Sequence, residues 1–280
     1  LGALDALRTS KADVDRLNVE LAETNRGVVA LYAELDERAE EMYRLSELKT
    51  RFLSDMSHEL RTPLTSVINL TRLLLAHADG PLNGEQSHQV TLIQRSAEAL
   101  AEIVNDLLDI AKIEAGRVEL HVDRCTVAEL FSALRGMFRP LVTGERVTLV
   151  FEDPDPSIAL ETDSQRVAQV LRNFVSNALK FTVEGTVRVS ATSDGAFVHL
   201  SVADTGIGIA PADQERVFEE FAQVDGPIQR RMRGTGLGLP LSRKLATLLG
   251  GRVTLDSRLG EGSTFSLLIP VQLDGGRAHG

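Results

Sequence analysis

The sequence predicts two architectures in one chain: a helical N-terminal part, with a coiled coil and a hairpin that pairs into a dimeric four-helix bundle, and an α/β sandwich after it. Three observations predict this. Residues 4–48 carry a heptad, with Leu7, Val14, Leu21, Val28, Leu35 and Met42 at position a and Leu17, Leu31 and Leu45 at position d, the seam of a coiled coil. Ile93, Ala97, Leu100, Val104, Leu107 and Ala111 recur in alternating steps of four and three, a second seam. Near Gly116 the period changes, and short alternating segments begin to interleave with helical ones.

In chain order, the heptad comes first. Its d positions are broken by Thr24 and Arg38, and Gly27 weakens the helix between them. The helix then runs on to about residue 76 through an apolar stripe of Leu45, Leu48, Phe52, Met56, Leu60, Leu64 and Val67. At about 100° per residue, His58 falls nearly opposite Met56 and Leu60 and points away from that stripe. Glu59 is beside it, Thr62 lies one turn on, and Pro63 withholds an N–H from the carbonyl of Glu59, which predicts a kink. An exposed imidazole with a carboxylate neighbour, ahead of a bend, suits a nucleophile approached from outside. A lone histidine with these features is far more often a solvated surface residue.

The turn cluster at residues 79–84 ends the first helix. Two antiparallel helices bury one seam, so two copies pairing as a homodimer cover both. Beyond Gly116, residues 118–122 and 147–151 read as strands and residues 127–142 as a helix. A strongly periodic helix spans 164–181. Strands at 186–190 and 197–202 join across Asp194-Gly195, a hairpin signal. Residues 205–235 form a long Gly- and Pro-bearing connection, expected to act as a mobile lid. A helix over 237–249 and strands at 252–257 and 263–270 close the layer.

Composition bounds the function. A length of 280 residues accommodates two domains, and a single cysteine, Cys125, rules out a disulfide framework. A net charge of −10 argues against nucleic-acid binding. No apolar run is long enough to span a bilayer. These features predict a soluble, cytoplasmic segment, and the initial Leu1 predicts a fragment of a longer protein. That protein could itself be soluble or membrane-anchored.

Chemistry gathers in three further places. Asn173, Asn177 and Lys180 share one face of the 164–181 helix, opposite an apolar stripe. Two carboxamides and an ammonium suit Mg²⁺ and phosphate, and they also suit a solvated polar face. Asp204, followed by Gly206 and Gly208, ends a strand. Its carboxylate only accepts hydrogen bonds and so can read an adenine amino group, while glycines let the backbone approach a planar base. A simple turn would show the same residues. Gly234, Gly236 and Gly238 open a helix, where bare N–H groups meet the positive helix end in an anion site or an ordinary helix start.

Together with Phe218 and Phe221, these clusters follow a helical hairpin bearing Ser57-His58-Glu59-Leu60-Arg61-Thr62-Pro63-Leu64. That combination resembles the sensor histidine kinases of two-component systems, over residues 45–270. The His58 stretch is similar to the family's phosphoacceptor box and residues 173–180 to its asparagine box. Residues 204–208 and 234–238 resemble its two glycine boxes, residues 218–221 its phenylalanine box. The closing strand with Thr264 resembles one whose threonine lies near the adenine.

The resemblance implies a coiled coil (1–47), a phosphotransfer hairpin (48–115), an ATP-binding sandwich of the histidine kinase, chaperone and topoisomerase type (116–273) and a tail (274–280). It implies ATP and Mg²⁺, the metal on Asn177 and Asn173, phosphates on Lys180 and the second glycine box, and adenine on Asp204. It also implies transfer of the γ-phosphoryl group to His58 aided by Glu59, and then to an aspartate on a response regulator receiver domain. Thr62 matches the family's phosphatase threonine. An upstream sensor domain is implied as the missing input.

Overall fold

The structure is a computed structural model that describes residues 2–78, 80–140, 146–156, 158–222 and 234–273. Within the first helix, the side chains of 3–10, 12–15, 19, 50, 52–55, 57 and 58 lie outside the described set. The chain divides into two units, Leu1–Phe52 and Leu53–Gly280.

Helix α1 spans Gly2–Leu75 and continues helically through Pro63, so the proline does not break it. In the first unit the heptad residues Leu17, Leu21, Leu31 and Leu35 are all exposed in the single chain. The predicted a positions Leu7 and Val14 lie outside the described side chains.

Helix α2, Gly84–Glu114, starts at a capping box: the Asn83 side chain accepts from the Gln86 N–H at 2.8 Å and the Gln86 side chain from the Asn83 N–H at 2.9 Å. It returns antiparallel to α1, and Arg61 donates to Asn105 at 3.1 Å. Thr71 on α1 and the seam residues Ala97 and Val104 on α2 are buried.

The second unit's remaining elements are β1 (Asp123–Thr126), α3 (Val127–Phe138), β2 (Val147–Phe151), β3 (Ala159–Thr162), α4 (Ser164–Phe181), β4 (Gly185–Ser193) and β5 (Phe197–Asp204). Two single turns of 3₁₀ helix, Pro211–Asp213 and Arg216–Phe218, precede α5 (Gly238–Leu248), β6 (Arg252–Arg258) and β7 (Gly262–Pro270). The five-stranded sheet has the order β2-β4-β5-β7-β6, with β2 and β4 parallel and every other pair antiparallel. One sheet face carries Val187, Val189, Val198, Leu200, Val202, Phe265 and Leu267 into a core shared with α3, α4 and α5. That makes a two-layer sandwich.

Two expectations shift. Residues 118–121 alternate in burial, Val122 is exposed, and none of them forms a strand; the strand begins at Asp123, where β1 pairs with β3, which has only four residues. The connection before α5 is shorter on irregular chain than expected, since two 3₁₀ turns organise its first part, while residues 223–233 of the predicted lid lie outside the described residues.

The C-terminal half of α2 belongs to the sandwich core as much as to the hairpin. Ile110 is buried in that core, with Ile103, Leu107 and Ile113 packed against it. Asp109 accepts from Arg166 at 3.2 Å and from Gln169 at 2.8 Å, both on α4. One turn back, Asp106 is buried. Burial above all, then the like charges of Glu102 and Asp109, push its carboxyl from 3.8 to about 7 against the pull of Arg172. Between those values the folded chain binds the proton and the unfolded chain does not, so stability falls as pH rises from about 4 to about 7. Asp106→Asn is therefore expected to melt above the wild type at pH 8, with the gap closing towards pH 4. A gap independent of pH in thermal melts followed by circular dichroism would overturn this assignment.

Candidate active site

Helix α4 organises the site. Its apolar stripe (Val167, Val170, Leu171, Phe174, Val175 and Ala178) is buried as the periodicity predicts, which turns Asn173, Asn177 and Lys180 to the other side. Asp163 caps the helix by accepting from the Arg166 N–H at 3.0 Å. Asn173 ties α4 to the first turn of α5: its Nδ2 donates to the Gly238 carbonyl at 3.1 Å and to Ser242 Oγ at 3.3 Å. Its carboxamide oxygen, and the whole carboxamide of half-buried Asn177, make no hydrogen bond among the described residues.

Lys180 reaches the glycine-rich turn ahead of α5. A Cβ on Gly234 would lie 2.6 Å from Lys180 Nζ, close enough to make the ammonium shift. Burial draws the Lys180 pKa down, and Glu102 on α2 partly restores it. Gly236 has φ +72°, with its would-be Cβ 2.9 Å from the Cα of Phe221, and the Phe221 N–H donates to its carbonyl at 3.1 Å. Helix α5 then begins at Gly238 with no side-chain cap. Its first N–H groups are thus left at the positive helix end, where a Cβ on Gly238 would lie 3.5 Å from the carboxamide carbon of Asn173.

The first glycine box adjoins the same end of α4. Asp204 closes β5 and accepts from the Gly206 N–H at 2.8 Å. Burial raises its pKa, while the N–H groups of Gly206 and Ser263 work the other way. A Cβ on Gly206 would stand 2.5 Å from the carbonyl oxygen of Phe181, the last residue of α4. Gly208, at φ +65°, leaves no room against the Arg258 carbonyl. Asn173, Asn177, Lys180, Asp204, Gly206 and the 234–238 turn are thereby disposed around the C-terminal half of α4.

Thr264 is placed differently. In the β5–β7 register Asp204 opposes Ser263 and Ala203 opposes Thr264, so Thr264 lies on the sheet face opposite Asp204. The hydroxyl on Asp204's face is that of buried Ser263, which pairs with Ser257 Oγ at 2.9 Å. Sequence reasoning missed Ser263, although two-residue alternation back from core Phe265 selects it.

The hairpin residues stand apart from this group in sequence. Glu59 and Thr62 are exposed on α1, and the Thr62 carbonyl accepts from Ser66 at 3.1 Å. The His58 backbone is helical, and its side chain lies outside the described residues. Among the described residues no group of three or more His, Cys, Asp or Glu could hold a metal ion. No helix there is long and apolar enough to cross a membrane.

Residues 48–116 match the family described as His Kinase A (phospho-acceptor) domain, and residues 162–273 match the Histidine kinase-, DNA gyrase B-, and HSP90-like ATPase family. The chain belongs to the sensor histidine kinases. The circadian input-output histidine kinase CikA of Synechococcus elongatus is 40% identical over 227 residues, which cover 80% of this chain and 30% of CikA. The histidine protein kinase DivJ of Caulobacter vibrioides is 38% identical over 240 residues, covering 85% of this chain and 40% of DivJ. The chain thus spans well under half the length of these relatives. Full-length ShkA, whose crystal structure is in complex with AMPPNP, superposes with a TM-score of 0.62 at 35% identity, over 78% of this chain and 45% of ShkA. In this histidine kinase chain the phospho-acceptor family therefore covers the α1–α2 hairpin, and the ATPase family covers α4 to β7.

Proposed function

We propose that this chain is the catalytic core of a protein-histidine kinase, which transfers the γ-phosphoryl group of ATP to a nitrogen of His58 and then to an aspartate on a response regulator receiver domain. The observation that carries the reading is the convergence of Asn177, Lys180, Asp204 and both glycine turns around one end of α4, in a chain whose α1 bears His58. In the first step the bond from the γ-phosphorus to the bridging oxygen breaks and a phosphorus–nitrogen bond forms, with ADP leaving. Glu59 would hold or deprotonate the second ring nitrogen, so that the attacking nitrogen presents a lone pair. Thr62 would orient a water when phosphorylated regulator is hydrolysed.

Within this site, Asp204 and Ser263 would face the adenine. Lys180 and the N–H groups of residues 234–238 would hold phosphates. The donor set fits Mg²⁺: two carboxamide oxygens without partners among the described residues, and no carboxylate cluster, suit a cation held mostly by phosphate oxygens and water. Asn177, with Asn173, would hold it, and when bound it would neutralise phosphate charge. Asn173 would serve through its oxygen alone, since its nitrogen is committed to α5.

The domain division follows the same reading: coiled coil 1–47, phosphotransfer hairpin 48–115, ATP-binding domain 116–273 and tail 274–280, the last outside the described residues. A homodimer is supported by Leu60, Leu70, Leu73, Leu92, Ile93 and Leu100, which leave the hairpin an apolar face 45–60% exposed. ATP as substrate supports a cytoplasmic place for this segment, and a heptad ahead of His58 supports an upstream sensor domain as input. The test is direct. Incubated with ATP radiolabelled at the γ-phosphate, the protein should acquire label stable in base and lost in acid, and should pass it to a receiver domain with an intact aspartate. Label that survives acid would indicate a hydroxyl acceptor and overturn the proposal.

A further inference from the structure

Helix α2 ends at Glu114, and the chain then turns through Gly116, at φ +64°, into the segment leading to β1. Lys244, on α5, places its Nζ 2.7 Å from Glu114 Oε1 and 3.4 Å from Glu220 Oε1. All three side chains are about two-thirds shielded, at 30% exposure for Lys244 and 34% for each glutamate. Burial works against the ammonium's charge, yet the two carboxylates outweigh it and hold its pKa above the ordinary lysine value. The neighbouring residue Arg243 adds a second tie, donating to the Phe218 carbonyl at 3.2 Å with its guanidinium 5.1 Å above the Phe218 ring.

The two carboxylates belong to parts of the molecule with different tasks. Glu114 is the last residue of α2, two residues before Gly116, where the chain turns towards β1. Glu220 precedes Phe221, whose N–H is bonded to the carbonyl of Gly236 in the second glycine turn. A groove of about 510 Å³, lined by Phe218, Pro240, Arg243 and Thr247, borders Lys244 and leaves it room to swing. Without the ammonium, Glu114 and Glu220 would face each other as like charges.

We propose that Glu114, Lys244 and Glu220 form a latch that couples the hinge at Gly116 to the phosphate-binding turn, so that nucleotide binding and docking of the sandwich on α2 change together. The proposal rests on the nucleotide reading of the site around α4. Because coupling between two sites is reciprocal, a change at Glu114, on the hairpin helix, must be felt by nucleotide, and nucleotide must be felt at the hinge.

Trypsin cleavage after Arg117, an exposed residue just past the hinge, reads the docking. Calorimetric titration with AMPPNP reads the nucleotide site. In the wild type, AMPPNP should slow cleavage after Arg117. In Lys244→Met that protection should vanish and AMPPNP affinity should fall about threefold, the scale of partly shielded ion pairs. Glu114→Gln should lower AMPPNP affinity in the same direction, and Lys244→Arg should restore both readouts. Circular dichroism confirms that each variant is folded. Wild-type binding of AMPPNP with cleavage protection and affinity unchanged in Lys244→Met and Glu114→Gln would overturn the latch. Failure of the wild type to bind AMPPNP would instead overturn the nucleotide reading on which it rests.

Discussion

His58→Gln is expected to bind ATP as the wild type does and to take up no label from its γ-phosphate. The proposed nucleotide site draws on α4, β5, β7 and the turn ahead of α5 and takes no residue from α1, so affinity should be untouched. Acceptance needs a nitrogen lone pair, and glutamine's amide nitrogen has none to offer because it is delocalised into the carbonyl. The expected loss is complete rather than partial. Labelling that persists in this variant, measured after acid and base treatment, would eliminate His58 as acceptor while leaving the ATP site standing.

Asp204→Asn is expected to weaken ATP binding tenfold or more with the fold intact. The variant keeps one oxygen to accept from the Gly206 N–H, the bond that shapes the turn at 2.8 Å. The other carboxylate oxygen becomes an NH₂ group. Facing an adenine amino group, that replaces an acceptor by a donor, a mismatch of about 1–3 kcal/mol. Calorimetry with ATP decides the matter, and unchanged affinity would move the base site away from Asp204.

The legible parts of the fold were those where local pattern and tertiary context agree. Helix α4 appeared in the sequence with the bounds it has in the structure, because its stripe is buried by one sheet face and its polar residues are left over. The β4–β5 hairpin was equally plain, since Asp194 accepts from the N–H groups of Ala196 and Phe197 and Gly195 takes φ +90°. Strand β3 was invisible because its pairing with β1 is decided forty residues away, not by its own four. The seam on α2 reads in the sequence as belonging to the helical bundle alone, whereas Leu107, one of its members, packs against the sandwich core beside Ile110. Periodicity reports that a face is buried and does not say against what.

The candidate site shows the same division. Residue types and spacing suffice to put Asn173, Asn177 and Lys180 on one face of α4 and Asp204 at the end of a strand, because helix periodicity and strand ends determine where such residues go. They did not suffice for Ser263, where a shift of one residue in β7 exchanges the two sheet faces and only the register with β5 tells Ser263 from Thr264. Nor did they show that Asn173 spends its nitrogen on α5.

Cys125 gives the protein a built-in chemical clock. It is the chain's single cysteine, buried in β1 opposite Leu160 of β3. Burial, then Asp123 and Glu129, push its thiol up to about 11. Near neutral pH the reactive thiolate is therefore about one part in ten thousand, and burial shields the sulfur besides. A thiol reagent added to the native protein would be consumed only as fast as β1 and β3 part, which turns its uptake into a measure of how often the junction between hairpin and sandwich breathes. A cysteine introduced on the surface would meanwhile react at once, so this kinase can be tagged at a chosen place with its natural thiol left where it is.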